Sequence, residues 1–118
     1  MTTNRAERLA EAIRQEAAEI VEFELLDDRL TSVTITEVVV SQDLRHAKVY
    51  VDINGEEQEI SVALKALEHA SGFVRHQLAM RLQIKRVPEL IFRYDDTMKK
   101  ALRIEQILEE EKEREKLS

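Results

Sequence analysis

The sequence predicts an α+β fold, a three-stranded sheet covered on one face by helices. Two observations carry this. Apolar residues recur at three- and four-residue spacing in four segments, while β-branched and aromatic residues cluster in three others. The two kinds interleave as helix, strand, strand, helix, break, helix, strand, helix, which a single sheet with one covered face satisfies. A third observation concerns size and charge. The chain has 118 residues, one domain by ordinary statistics, with no repeat or dividing linker. Charged residues make up 36%, against roughly 25% in an average domain, and the excess needs a thin, high-surface fold.

The first helix is expected from about Asn4 to Leu26, with Leu9, Ile13, Ala17, Ile20 and Val21 as its apolar stripe. Asn4, with Glu7 three residues on, supplies an N-cap signal. Asp27-Asp28-Arg29 ends the stripe. Val33 to Ser41 is a strand. Val33 and Ile35 share one parity and Val38 and Val40 the other, so the strand either bulges near Glu37 or is partly buried on both faces. Gln42 to Arg45 reads as a turn. Ala47 to Asp52 alternates as a second, antiparallel strand, and Asn54-Gly55 turns the chain.

Helical pattern resumes at about Gln58 with Ile60, Ala63, Leu64 and Leu67. It is expected to break at Ala70-Ser71-Gly72 and restart with Phe73, Val74, Leu78 and Leu82. Arg86-Val87-Pro88 stops that helix. Leu90, Phe92 and Tyr94 alternate in a third strand. Asp95-Asp96-Thr97 offers caps for a last helix, with Ala101, Ile104 and Leu108 on its inner face. Residues 1–108 are therefore expected to form the domain and 109–118 a charged tail.

Composition excludes several functions. With no cysteine there is no disulfide framework, thiol nucleophile or thiolate zinc site. The histidines are scattered, and His69 and His76 share a face only if the helix runs through Gly72, so no metal is expected. Two glycines cannot build a phosphate-binding or dinucleotide-binding motif, and Ser71 lacks a nucleophile-elbow frame. The pairs Asp27-Asp28, Glu56-Glu57 and Asp95-Asp96 read as caps and solvated turns rather than acid–base machinery. No catalytic constellation assembles, so an enzyme is not expected, nor any cofactor. Met1 to Arg14 does not form a signal peptide and no segment reaches the ~20 apolar residues of a membrane span. A soluble, cytoplasmic, monomeric protein without a membrane partner is the expectation.

Charge is segregated. The formal net charge is −6, with acid concentrated in Glu7 to Asp28, Glu56 to Glu59 and Glu105 to Glu115. Between His69 and Pro88 there is none, and that stretch carries Arg75, Arg81, Lys85 and Arg86 with His69 and His76. Binding follows the local field rather than the total, so an anionic partner remains open.

The element order helix-strand-strand-helix-helix-strand is that of a type II KH domain, which binds RNA backbone at a short glycine-containing loop between two helices. In place of the usual Gly-x-x-Gly stands Ala70-Ser71-Gly72. That departure, followed by Phe73-Val74-Arg75, resembles the Ala-x-Gly-Phe-Ile-Arg element of the ribosome-binding factor A family. Asp27-Asp28-Arg29-Leu30 resembles the family's Asp-Pro-Arg-Leu element with Asp28 in place of proline. Ser41-Gln42-Asp43-Leu44 and Ala47 to Val51 resemble its Ser-x-Asp-Leu turn and second strand. Pro88-Glu89-Leu90 with Phe92 and Asp95, and Arg103-Ile104, complete the likeness, which spans about residues 5 to 108. Thr31 and Ala101 stand where the family often has glycine. The resemblance implies a non-enzymatic factor that binds the small (30S) ribosomal subunit and 16S ribosomal RNA late in assembly. It further implies support of 16S 5′-end processing, a role in cold growth and, in some bacteria, release by an assembly GTPase.

For the contact itself, Ala70, Ser71 and Gly72 would offer a helix start with free backbone N–H groups. Arg75 in its first turn would bond phosphate, with Lys85 and Arg86 flanking, Arg81 behind and His76 on the Arg75 wedge. Lys48, on the strand face opposite Val49, could extend the surface. The plain alternative is a solvated basic face. Tyr50, Phe73, Phe92 and Tyr94 could stack on bases, although their alternation favours core packing for most of them. A different class of function, a protein–protein adaptor acting through the charged terminal helices, would place the weight on Glu105 to Ser118.

Overall fold

The computed structural model describes residues 4–117. Helix α1 (Arg5–Glu19) begins where Asn4 caps it, its side chain accepting the Glu7 N–H at 2.8 Å. Ala6, Ala10, Ile13 and Ala17 are its buried stripe. The helix does not continue regularly to Leu26. It widens into a π turn over Ile20–Glu24 that buries Ile20 and Val21, and Leu25 is extended. A short 3-10 turn (Asp28–Leu30), capped by Asp27, leads into the sheet.

Strands β1 (Val33–Val40) and β2 (His46–Ile53) pair antiparallel, with a register shift between Ile35 and Glu37. Of the two options left open for β1, the bulge is the one realised. It brings Val33, Ile35, Val38 and Val40 all onto the buried face despite their mixed parity. The β1–β2 turn closes with Leu44 at φ 62.

Helix α2 (Glu57–Leu82) starts with a reciprocal cap between Glu56 and Glu59. Here the structure corrects the sequence reading. The helix runs unbroken through Ala70-Ser71-Gly72, for 26 residues. Gly72 is exposed and a Cβ built on it would meet nothing within 4 Å, so no packing demand forces the backbone apart there. One glycine costs only about 1 kcal/mol of helix propensity, and the buried row Ile60, Ala63, Leu67, Val74 and Leu78 spans the junction without a phase slip. The helix ends at Gln83, which takes the left-handed conformation, φ 53.

Strand β3 (Glu89–Tyr94) lies beside β2 and parallel to it, giving the order β1-β2-β3. The parallel pairing follows from the connection, since α2 returns the chain to the end of the sheet where β2 began. Alternating residues Ala47, Val49, Val51 and Ile53 of β2, with Leu90 and Phe92 of β3, meet α1 and α2 in one apolar core. The opposite face of the sheet carries no buried side chain and is open.

Helix α3 (Thr97–Leu117) is the second correction. Ala101, Ile104 and Leu108 were expected to pack inward, yet no residue of α3 is buried. The helix projects, and the molecule measures 65 × 41 × 19 Å. It also runs without interruption past Leu108, while Ser118 lies outside the described residues.

Candidate nucleic-acid interface

The end of the molecule where the β1–β2 turn, the start of β3 and the loop after α2 meet forms an open groove. Its basic lining is Arg5 and Arg8 from α1, Arg45 from the turn, Arg75 from α2, and Lys85 and Arg86 from the loop. Three carboxylates, Asp43, Glu68 and Glu89, also line it, so positive charge is in excess within a chain of net charge −6.

The six cations are available. Among the described residues none of them is ion-paired, whereas Arg14, Arg29, Arg81 and Lys100 each hold a carboxylate. The groove's acids are partly occupied. Asp43 accepts the Ser41 hydroxyl at 2.6 Å and the Arg45 N–H at 3.1 Å, and these bonds, the hydroxyl's first, hold its pKa below the usual carboxylate range. Glu89 lies 3.7 Å from the His46 ring. Arg75 is steered rather than neutralised, since its guanidinium donates to the Val87 carbonyl at 2.8 Å. That bond ties α2 to the loop bearing Lys85 and Arg86 and leaves the remaining guanidinium N–H groups for an anion.

The residues singled out in the sequence therefore divide. Ser71, Arg75, Lys85 and Arg86 come together in the groove. Ala70 is half-buried, and Gly72 and His76 are exposed elsewhere on α2. The helix start expected at Ala70-Ser71-Gly72 does not exist, because in an unbroken helix the N–H groups there are already bonded to carbonyls four residues back.

Arg81 is diverted. Its side chain, 22% exposed, ties α2 to the end of α1 through Glu16 at 3.1 Å, Glu19 at 3.6 Å and a close contact with Glu24. The hydrogen bond to Glu16 leads the interactions that raise its pKa further. Lys48 projects from the helix-free face of the sheet, since its neighbours Ala47 and Val49 point into the core. It does not belong to the groove.

Sequence reasoning missed Arg5, Arg8 and Arg45. Arg5 and Arg8 border the acidic Glu7 to Asp28 stretch and Arg45 stands in a turn thirty residues before Arg75, so only the fold brings them beside it. The spacing of Arg5, Arg8, Leu9 and Ala12 on one face of α1 was the signal that could have found the first two.

A profile described as "Ribosome-binding factor A" matches residues 5–108. The chain belongs to the ribosome-binding factor A family. Ribosome-binding factor A of Halothermothrix orenii is 39% identical over 115 residues, covering 98% of this chain and 94% of that protein. The crystal structure of ribosome-binding factor A from Thermus thermophilus superposes with a TM-score of 0.67 at 31% identity, covering 77% of this chain and 97% of that one. A Thermus thermophilus ribosome-binding factor A homology model, fitted into a cryo-electron-microscopy map of a 30S complex, superposes with a TM-score of 0.66 at 30% identity. It covers 79% of this chain and 97% of the other.

Among the described residues no three histidine or acidic side chains gather as a metal site would require. Among the described residues no helix is long and apolar enough to cross a membrane.

Proposed function

We propose that this chain is a ribosome assembly factor that binds the small ribosomal subunit through 16S ribosomal RNA. In this reading the groove of Arg5, Arg8, Arg45, Arg75, Lys85 and Arg86 cradles the RNA backbone. The observation that carries it is the convergence of six cations from four chain segments, none of them ion-paired among the described residues. Family membership supports the choice of ribosomal RNA, as does the relative fitted into a 30S complex. Residues 1–108 would be the binding domain and 109–118 an extension of α3. Assistance to late maturation and to 16S 5′-end processing, importance in the cold, a cytoplasmic location, a monomeric state and release by an assembly GTPase belong to the same reading.

Each phosphate neutralised releases counterions, so affinity falls linearly with salt on a logarithmic scale, with slope about −0.7 per contact on single strands. Six contacts predict a slope of roughly −4. The test is cosedimentation with small subunits, large subunits and tRNA across a salt series. The expected result is selective, salt-sensitive binding to the small subunit that is lost in a folded Arg75→Glu/Arg86→Glu double variant. No binding to any of the three at low salt would overturn the reading.

A further inference from the structure

The β1–β2 turn carries one of the groove's cations, and one of the groove's carboxylates holds that turn. The chain reverses through Leu44, whose φ of 62 lies in the left-handed region that leucine rarely takes. Two backbone bonds close the reversal. The Ser41 N–H donates to the His46 carbonyl and the Leu44 N–H to the Ser41 carbonyl, both at 2.9 Å. The Asp43 side chain adds two more. It accepts the Arg45 N–H at 3.1 Å and the Ser41 hydroxyl at 2.6 Å, and that hydroxyl in turn accepts the His46 N–H at 3.1 Å. These bonds fasten the chain on both sides of Leu44. Asp43, Leu44 and Arg45 all line the groove.

Arg45 is fastened a second time. Its carbonyl accepts the Glu89 N–H at 2.8 Å, which docks the turn on the start of β3. Both backbone groups of Arg45 are thus used for orientation, and its side chain is left to the groove. Asp43 then has two opposite effects on an anion bound there. Its charge repels the anion, and its bonds aim the guanidinium that attracts it. Repulsion from an exposed carboxylate is weakened by water and salt to about twofold in affinity. An oriented guanidinium–phosphate contact contributes about tenfold. The bonds outweigh the charge.

We propose that Asp43 is a positioning residue for RNA binding, a groove carboxylate that strengthens the hold on a polyanion by fixing the backbone from which Arg45 reaches it. This rests on the RNA-binding reading above and adds to it the sign of one residue's effect, which is the reverse of what charge alone dictates.

The test titrates the full chain with purified small ribosomal subunits at several salt concentrations. Glu68→Gln is the charge control, since Glu68 lines the same groove and has no hydrogen bond or ion pair among the described residues. It is expected to tighten binding about twofold. Asp43→Ala removes the same charge and is expected to weaken binding about fivefold. It should also flatten the salt slope by about 0.7, the share of one contact. Ser41→Ala leaves the charge unchanged and should weaken binding by a smaller factor, which guards against a folding defect in Asp43→Ala. Arg45→Ala should weaken binding about tenfold, and adding Asp43→Ala to it should cause no further loss, because Asp43 acts through Arg45. Asp43→Ala binding as tightly as the parent or more tightly, while Arg75→Glu/Arg86→Glu fails, would overturn the positioning role and leave the RNA reading standing. Additive losses from Asp43→Ala and Arg45→Ala would also overturn it, since the defect would then lie elsewhere in the domain. A parent chain that does not bind small subunits would sink both readings.

Discussion

Gly72 lies on the exposed side of α2, within the helix. Its residue type suggests a helix break, and its surroundings permit none, because α2 passes through it and the Cβ position is empty. Gly72→Ala should therefore raise the unfolding free energy by about 1 kcal/mol, through helix propensity and a less flexible unfolded chain. Chemical denaturation of the two proteins measures it, and a loss of stability would mean that the glycine holds a conformation alanine cannot take. Arg81 teaches the complementary lesson. Charge counting along the chain groups it with Arg75 and Arg86, yet its helical phase turns it toward Glu16, Glu19 and Glu24. The alternation rule likewise served Phe92, which is buried, and failed for Phe73, because a helical residue is placed by phase and not by parity.

At the scale of elements, the strands were the most legible. The mixed parity of β1 pointed to its bulge, and the clean alternation of β2 gave its buried face. The parallel approach of β3 was not readable locally, because it depends on where a 26-residue helix delivers the chain. Helix α3 was misread for a related reason. Its apolar residues satisfy the spacing of an inward face, but spacing cannot say whether a surface exists to receive that face. With nothing of α3 buried, truncation after Met98 should change the unfolding free energy by no more than about 0.5 kcal/mol. The Asp95 carboxylate would keep its bonds to Thr36 at 2.7 Å and to the Thr97 N–H at 3.0 Å. A larger loss on denaturation would show that α3 folds back onto the domain. Hydrogen exchange gives a second readout: fast throughout Lys99 to Leu117 and slow across the buried row of α2.

Across the whole molecule, the acidic total hides an arrangement in which carboxylates serve as caps and ion-pair partners while the groove keeps its cations free. That arrangement has a pH signature. Glu11 is held down to about 2, chiefly by its hydrogen bond from Arg14, and Asp27 to about 2, chiefly by its bonds from Arg29. Asp95 is lowered by the Thr97 and Thr36 hydroxyls and Asp43 by Ser41 and the Arg45 N–H. A carboxyl group whose pKa is depressed by folding binds a proton more readily in the unfolded chain. The stability it contributes is complete above its unfolded value, near 4, and drains away as pH falls toward the folded value. The melting temperature should thus decline steadily as pH is lowered from about 5 to about 2. Because all four groups lie at the surface, their individual contributions are small, and added salt should weaken the dependence. Asp27→Asn/Asp43→Asn removes two of the four, together with the cap of the 3-10 turn and the clasp of the β1–β2 turn. It should melt lower than the parent near neutral pH and approach it at pH 2, giving a shallower profile. Parallel profiles would mean that these bonds do not discriminate between the folded and unfolded chain, and that acid acts through the groove's excess positive charge instead.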